Sequence, residues 1–164
     1  MSLAEPLGRC RIAASELEVV EVCGLRLLLS PRSPTDHAGW TNQSSRRSLF
    51  EAYQTAPPAD VVVSHAPPAG ILDHVRGVGP IGCVGLLSYI ARVAPSLVIC
   101  GHVHRAGMVR LDDLDVVVAN VAVVPHHTLE PVQGVSLFEL DVRDGQRPAV
   151  RAIGHTRPLP RGES

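Results

Sequence analysis

Apolar positions along this chain follow two periods, one suited to strands and one to helices. The runs Asp60-Val61-Val62-Val63-Ser64 and Leu97-Val98-Ile99-Cys100 are short and continuously apolar, as strands of a parallel sheet covered on both faces should be. Earlier, 17–22 and 24–29 read as two short strands with Cys23-Gly24 at the bend of a hairpin. The stretch 30–37 carries two prolines and reads as loop. Trp40 lies just beyond it and is expected to pack on the core or line a pocket. Asn42 or Ser44 is positioned to cap a helix running to about Thr55, with Leu49, Phe50 and Tyr53 on one face. The stretch 71–82 has no period and reads as a long irregular loop. From 83 to 93 the spacing of Leu86, Leu87, Ile90 and Val93 predicts an amphipathic helix, closed by Pro95.

Residues 60–102 therefore read as strand, loop, helix and strand, a βαβ unit with the helix as crossover. Beyond it the pattern changes to short strands near 108–111, 116–120, 135–141 and 150–154. Turn residues between several of them (Asp112-Asp113, Gly134, Asp144-Gly145) suit antiparallel pairing. Residues 1–15 show no clear period, and 155–164, rich in proline and arginine, read as a loose tail. The expected organisation is a single domain over 1–154 without internal repeats.

Composition narrows the class. Apolar residues make up 45% of the chain and aromatics 3%, which favours a sheet-containing globular fold over disorder. The formal charge of −1 gives no general attraction to nucleic acid or to an anionic membrane, and no basic-aromatic patch marks a nucleic-acid site. The fifteen basic residues are all arginine, which reads as coding bias rather than a phosphate clamp. No apolar run reaches the length of a membrane span, and the first residues do not follow the pattern of a secretory signal. The four cysteines are irregularly spaced with no Cys-x-x-Cys pair, so free thiols and a cytoplasmic location are expected.

The candidate chemistry lies where the two apolar runs end. One stops at His65, and the other at Gly101-His102-Val103-His104. Adjacent parallel strands of an α/β sheet keep their chemistry at that end. Two histidines separated by one residue on an extended backbone point the same way, and imidazole is the commonest protein metal ligand. His65, His102 and His104 are thus candidate metal ligands, against a plainer reading as loop histidines bonded to backbone. Three imidazoles can hold one zinc with a position open for water. No carboxylate stands near them in ligand-like spacing; Asp73 is the nearest candidate, and Asp112, Asp113 and Asp115 read as turn residues. His126-His127 read as loop residues, and His37, His74 and His155 as solvated, with the roles of Asp73, His74, His126 and His127 left open. The glycine-rich 77–82 contains Pro80 and follows no strand, which argues against a nucleotide-binding loop. Ser64 lacks the glycines of a nucleophile elbow, and Cys100 reads as a packing residue.

Taken in order, Asp60 to Pro68, Gly82-Cys83 opening a helix, and Ile99-Cys100-Gly101-His102-Val103-His104 resemble the calcineurin-like metallophosphoesterases. Ser30-Pro31, Trp40 and Val118-Ala119-Asn120-Val121 fit the branch of metallophosphoesterase-domain-containing proteins of animals. The resemblance runs from about residue 17 to about 142. It implies a four-layer αββα sandwich, of which this chain matches the C-terminal half, one mixed sheet with helices on one side. It also implies phosphoester hydrolysis with two divalent metals (Mn, Fe or Zn), His65 and His102 serving one and His104 the other.

The departure from the family is equally specific. Its Asp-x-His, Gly-Asp and Gly-Asn-His motifs, which in the family supply the bridging aspartate, the other carboxylate, an asparagine ligand and a histidine that assists the leaving group, are found nowhere in this sequence. Without a bridging carboxylate two cations repel at close range, so one metal or none is expected, with little activity from this chain alone. The sheet face that meets the other half in the family should be apolar and open. A complementing N-terminal half or a homo-oligomer is the corresponding partner, and a phosphoester small molecule or nucleotide the substrate of an active form. Two other readings are a non-catalytic metal-binding or interaction module and a mononuclear zinc hydrolase with three histidine ligands.

Overall fold

The computed structural model describes residues 15–35, 43–124, 134, 136–143 and 145–155. Its centre is a six-stranded mixed sheet. The strands are β1 (Glu18–Val22), β2 (Leu25–Ser30), β5 (Val61–Ser64), β8 (Leu97–Cys100), β9 (Gly107–Leu111) and β10 (Val116–Asn120), in the order β1-β2-β5-β8-β10-β9. The inner four run parallel, and β1 and β9 close the edges antiparallel. The β1–β2 hairpin turns on Cys23 and Gly24, both at positive φ (52° and 77°), a two-residue geometry that matches strand twist and favours glycine.

Alternation along the inner strands divides the core. Leu28, Val62, Val98, Cys100, Val116 and Val118 face two helices, α1 (Arg46–Thr55) and α2 (Val84–Val93), through Leu49, Tyr53, Leu86, Tyr89 and Ile90. Each fully buried aliphatic side chain there stabilises the fold by roughly 1.5–3 kcal/mol. On the opposite face Val61, Leu97 and Val117 pack beneath Phe138, Leu140 and Val150 of the hairpin β11 (Ser136–Asp141) and β12 (Ala149–His155). That cover sits over the start of the parallel strands. Towards their ends Val63 is 37% exposed and Ile99 half-buried. The fold is a mixed α/β sheet with its helices on one side, and the βαβ unit from β5 through α2 to β8 is present as expected. No helix of the described residues is long and apolar enough to cross a membrane.

Several local expectations change. The proline-bearing stretch is not all loop, because β3 (Ser33–Thr35) pairs in parallel with β4 (Gln43–Ser45) in a ladder of two edge strands, where proline is tolerated. The cap of α1 is Ser45, whose hydroxyl accepts from Ser48 N–H at 3.0 Å; Ser44 is buried one residue earlier. Phe50 is exposed, since Leu49 and Tyr53 set the buried face of α1 and Phe50 lies a hundred-degree step away. In α2 the buried face is Gly85, Leu86, Tyr89 and Ile90, leaving Leu87 exposed and Val93 half-buried. The stretch expected to be irregular holds a small hairpin, β6 (His74–Val75) with β7 (Gly79–Pro80). Trp40, His37, His126, His127, the alternative cap Asn42 and the segments 1–14 and 156–164 lie outside the described residues.

Candidate functional site

His65 directly follows β5, and its backbone is stitched to both neighbouring strands. Its N–H donates to Ser30 C=O at 2.8 Å, and its C=O accepts from Gly101 N–H at 3.1 Å. The sheet thus delivers His65 and the Gly101-His102 step to the same height. The two imidazoles meet there, ring centroids 4.8 Å apart and tilted by 51°.

The backbone carrying His102 and His104 is not extended, so the argument from alternating side chains does not apply. Val103 N–H donates to Gly101 C=O and Arg105 N–H to Val103 C=O, each at 2.7 Å. These contacts close two successive three-residue turns, with a histidine at the apex of each. His102 stands at φ 64°, in the left-handed region. Both histidines nevertheless line one pocket of about 350 Å³ with His65, walled by Val63, Ile99 and the segment 121–124. The three histidines expected to converge do share a pocket, but through turns rather than an extended backbone.

Burial, with the neighbouring imidazoles, disfavours the charged form of the pair. Burial pushes the His65 imidazole below its ordinary value, assisted by His104. Burial does the same to His102, assisted by His65 and His104. A neutral imidazole carries the free lone pair that metal ligation requires. Cys100, beside the site in sequence, turns under the sheet and donates its thiol to Ala119 C=O at 3.5 Å. Burial pushes that thiol up to about 12, so it is a packing residue rather than a ligand.

The candidate carboxylate in the loop after His65 goes elsewhere. Asp73 is 6% exposed, and its Oδ2 accepts from Gly70 N–H at 2.8 Å and Gly82 N–H at 3.3 Å, closing the loop after His65 onto the start of α2. It lines a separate pocket with His74 and Arg105. No carboxylate appears among the described residues lining the histidine pocket. Nor does any group of three or more His, Cys, Asp or Glu among the described residues stand ready to hold a metal ion. The donor set therefore does not fit a two-metal centre. What the described residues bring together is a pair of imidazoles, His65 and His102, with His104 in the same pocket.

Sequence reasoning gave no role to Asn120. It ends β10 fully buried and reaches under the histidine turn with its amide. The available signal was a polar residue closing an otherwise apolar strand, Val116-Val117-Val118-Ala119-Asn120.

Comparison with known proteins supports the resemblance carried by the motifs. Metallophosphoesterase domain-containing protein 1 of human and of mouse is 33% identical over 116 residues, covering 68% of this chain and 36% of each relative. The UPF0046 protein T07D4.2 of Caenorhabditis elegans is 30% identical over 92 residues, covering 55% of this chain and 23% of that protein. The chain spans little more than a third of the length of the mammalian relatives it matches. The chain matches no protein-family model. Among solved structures, TT1561 of Thermus thermophilus superposes with a TM-score of 0.37 at 14% identity, over 63% of this chain and 47% of that one.

Proposed function

We propose that this chain, which belongs by sequence with the metallophosphoesterase domain-containing proteins, forms the imidazole wall of a metal-dependent phosphoesterase site. The observation that carries this reading is the contact of the His65 and His102 rings at the ends of two adjacent parallel strands. In a site completed by carboxylates from elsewhere, His65 and His102 would serve one divalent cation (Mn, Fe or Zn) and His104, in the same pocket, a second. A bound cation supplies positive charge that offsets the charge building on phosphoryl oxygens. The chain's own residues hold and orient the rings, and the apolar wall from Val63 to the 121–124 segment limits water on one side.

On this reading the carboxylates of a two-metal centre come from a complementing half, since a second copy lacks the same motifs. The open apolar end of the sheet at Val63 and Ile99 is where such a partner would sit. On this reading the substrate is a phosphomonoester or phosphodiester, a nucleotide among them, and the chain alone turns it over slowly or not at all. A cytoplasmic location belongs to the same proposal and rests on the irregular spacing of the four cysteines.

The test is a calorimetric titration of the full chain with manganese and zinc, run beside hydrolysis of an aryl phosphodiester, for wild type and His65→Ala. The expected result is at most one bound cation, lost in His65→Ala, with turnover near background. Two tightly held cations with turnover would overturn the incomplete-site reading. One zinc with hydrolysis would support a mononuclear hydrolase, and no metal binding would support a non-catalytic interaction module.

A further inference from the structure

We infer that Asn120 is the positioning residue that holds both histidines of the Gly101-His102-Val103-His104 turn in place. Its side-chain nitrogen donates to Val103 C=O at 2.8 Å and to Gly101 C=O at 3.4 Å. Its side-chain oxygen accepts from Ala122 N–H at 3.0 Å. The backbone donor at Ala122 fixes which end of the amide is oxygen, so both amide hydrogens face the turn. The two carbonyls it reaches are those that close the successive three-residue turns, Gly101 for the turn with His102 at its apex and Val103 for the one with His104. One buried amide thus braces both apexes. Three-residue turns are a thin hold on a backbone, and His102 at positive φ adds strain that only surrounding structure can maintain. Ala122 is itself a wall of the pocket, so the same side chain ties the pocket's far wall to the turn. Aspartate at this position has no hydrogen to give and would set a carboxylate against two carbonyl oxygens.

The consequence for cation binding rests on the proposed metal role of the turn; the consequence for ring geometry does not. The experiment therefore has two arms, applied to wild type, Asn120→Asp, Asn120→Ala and Val118→Ala. Val118 lies two residues earlier on the same face of β10, fully buried in the core, and touches none of the turn's hydrogen bonds. It controls for loss of stability alone. The first arm reads the ring-to-ring nuclear Overhauser contact between His65 and His102 in chelator-treated protein. The second reads cobalt(II) affinity and its visible absorption. Asn120→Asp is expected to lose the ring contact and to weaken cobalt by about 10–100-fold, the range seen when groups that orient metal ligands are removed. Val118→Ala is expected to keep both while lowering the melting temperature. Retention of the ring contact in both Asn120 variants overturns the inference, as does equal loss in Val118→Ala at a matched fall in melting temperature. If Asn120→Asp does not fold, Asn120→Ala carries the comparison. If wild type takes up no cobalt, the metal reading fails and the ring contact alone decides the role of Asn120.

Discussion

Gly82→Ala should be among the most damaging single-methyl additions in this protein, although Gly82 belongs to none of the histidine motifs. A Cβ built there lies 2.6 Å from Ala69 Cα, 2.6 Å from Asp73 Oδ2 and 2.7 Å from Pro68 C=O. Two of those atoms are backbone and cannot rotate aside. They belong to the segment after His65 that pairs in parallel with the start of α2, through Cys83 N–H to Pro67 C=O at 2.8 Å and Ala69 N–H to Cys83 C=O at 3.1 Å. Relieving the overlap separates the segments and breaks or stretches both bonds, together with the Asp73 bond to Gly82 N–H. Three bonds at about 0.5–1.5 kcal/mol each, with partial overpacking strain, outweigh the roughly 0.4–1 kcal/mol that alanine returns through unfolded-state entropy. The net expectation is a loss of about 2–4 kcal/mol, or roughly 5–15 °C in melting temperature for a chain of this length. Gly101→Ala is the internal comparison: its Cβ meets only His65 C=O, at 3.8 Å, an ordinary contact. It should cost within about 0.5 kcal/mol, as substitutions free of steric conflict do. Urea unfolding followed by circular dichroism measures both. A Gly82→Ala protein as stable as wild type, or Gly101→Ala as the costlier change, would refute the close-approach argument.

Arg147 should act as the clasp of the second sheet face. Its guanidinium donates to Leu114 C=O (2.8 Å), Asp115 C=O (2.5 Å), Pro95 C=O (3.0 Å) and Ser96 Oγ (3.1 Å), joining the β11–β12 turn to the base of the sheet. Arg147→Met is expected to cost about 1–2 kcal/mol and to raise amide exchange across both hairpin strands more than in β5 or β8, read by mass spectrometry. Alkylation near neutral pH, mapped by peptide mass, should modify exposed Cys23 and spare Cys83 and Cys100, whose thiols burial pushes up; rapid labelling of Cys100 in folded protein would contradict its placement under the sheet. Acid should weaken the metal-free fold through the histidine pair. The folded state holds both rings below the ordinary 6.5, so the unfolded chain takes up protons first. The stability they contribute is whole above about pH 6.5 and declines as pH falls through that value towards their lower folded values. Urea midpoints near pH 7.5 and pH 5.5 should differ more in wild type than in His65→Ala.

What could be read from the sequence follows the reach of each signal. The strands β5, β8 and β10 were legible because strands covered on both faces need only apolar, β-branched side chains, and Val61-Val62-Val63 and Val116-Val117-Val118 say so locally. The βαβ crossover followed from a helix between two such runs. The buried faces of the helices were less legible. Gly85 lies on the buried face, where an added Cβ would come within 2.9 Å of Phe50 Cα, a constraint set by the neighbouring helix rather than by period, and Leu87 is exposed. The pairing of β3 with β4 through Pro34 could not be read from local propensity, because it depends on an edge partner.

The histidine site divides along the same line. His65, His102 and His104 were legible because each follows the end of a readable strand, and strand ends in a parallel sheet converge. Their support was not. The extended-backbone argument for His102 and His104 fails at φ 64°, and the hydrogen bonds that shape the turn come from Asn120, seventeen residues from Val103. A local pattern cannot specify a partner at that separation; only the register of β10 against β8, with Asn120 opposite Cys100, brings the amide under the turn. The same register explains why Asn120 is tolerated in an apolar strand, since its two hydrogens and its oxygen all find partners and no polar atom of its side chain is left unpaired. A buried polar residue that ends an apolar strand beside a histidine turn is therefore itself a signal. Its cost of burial is offset only where the fold needs its hydrogen bonds, and here it needs them to set the imidazoles.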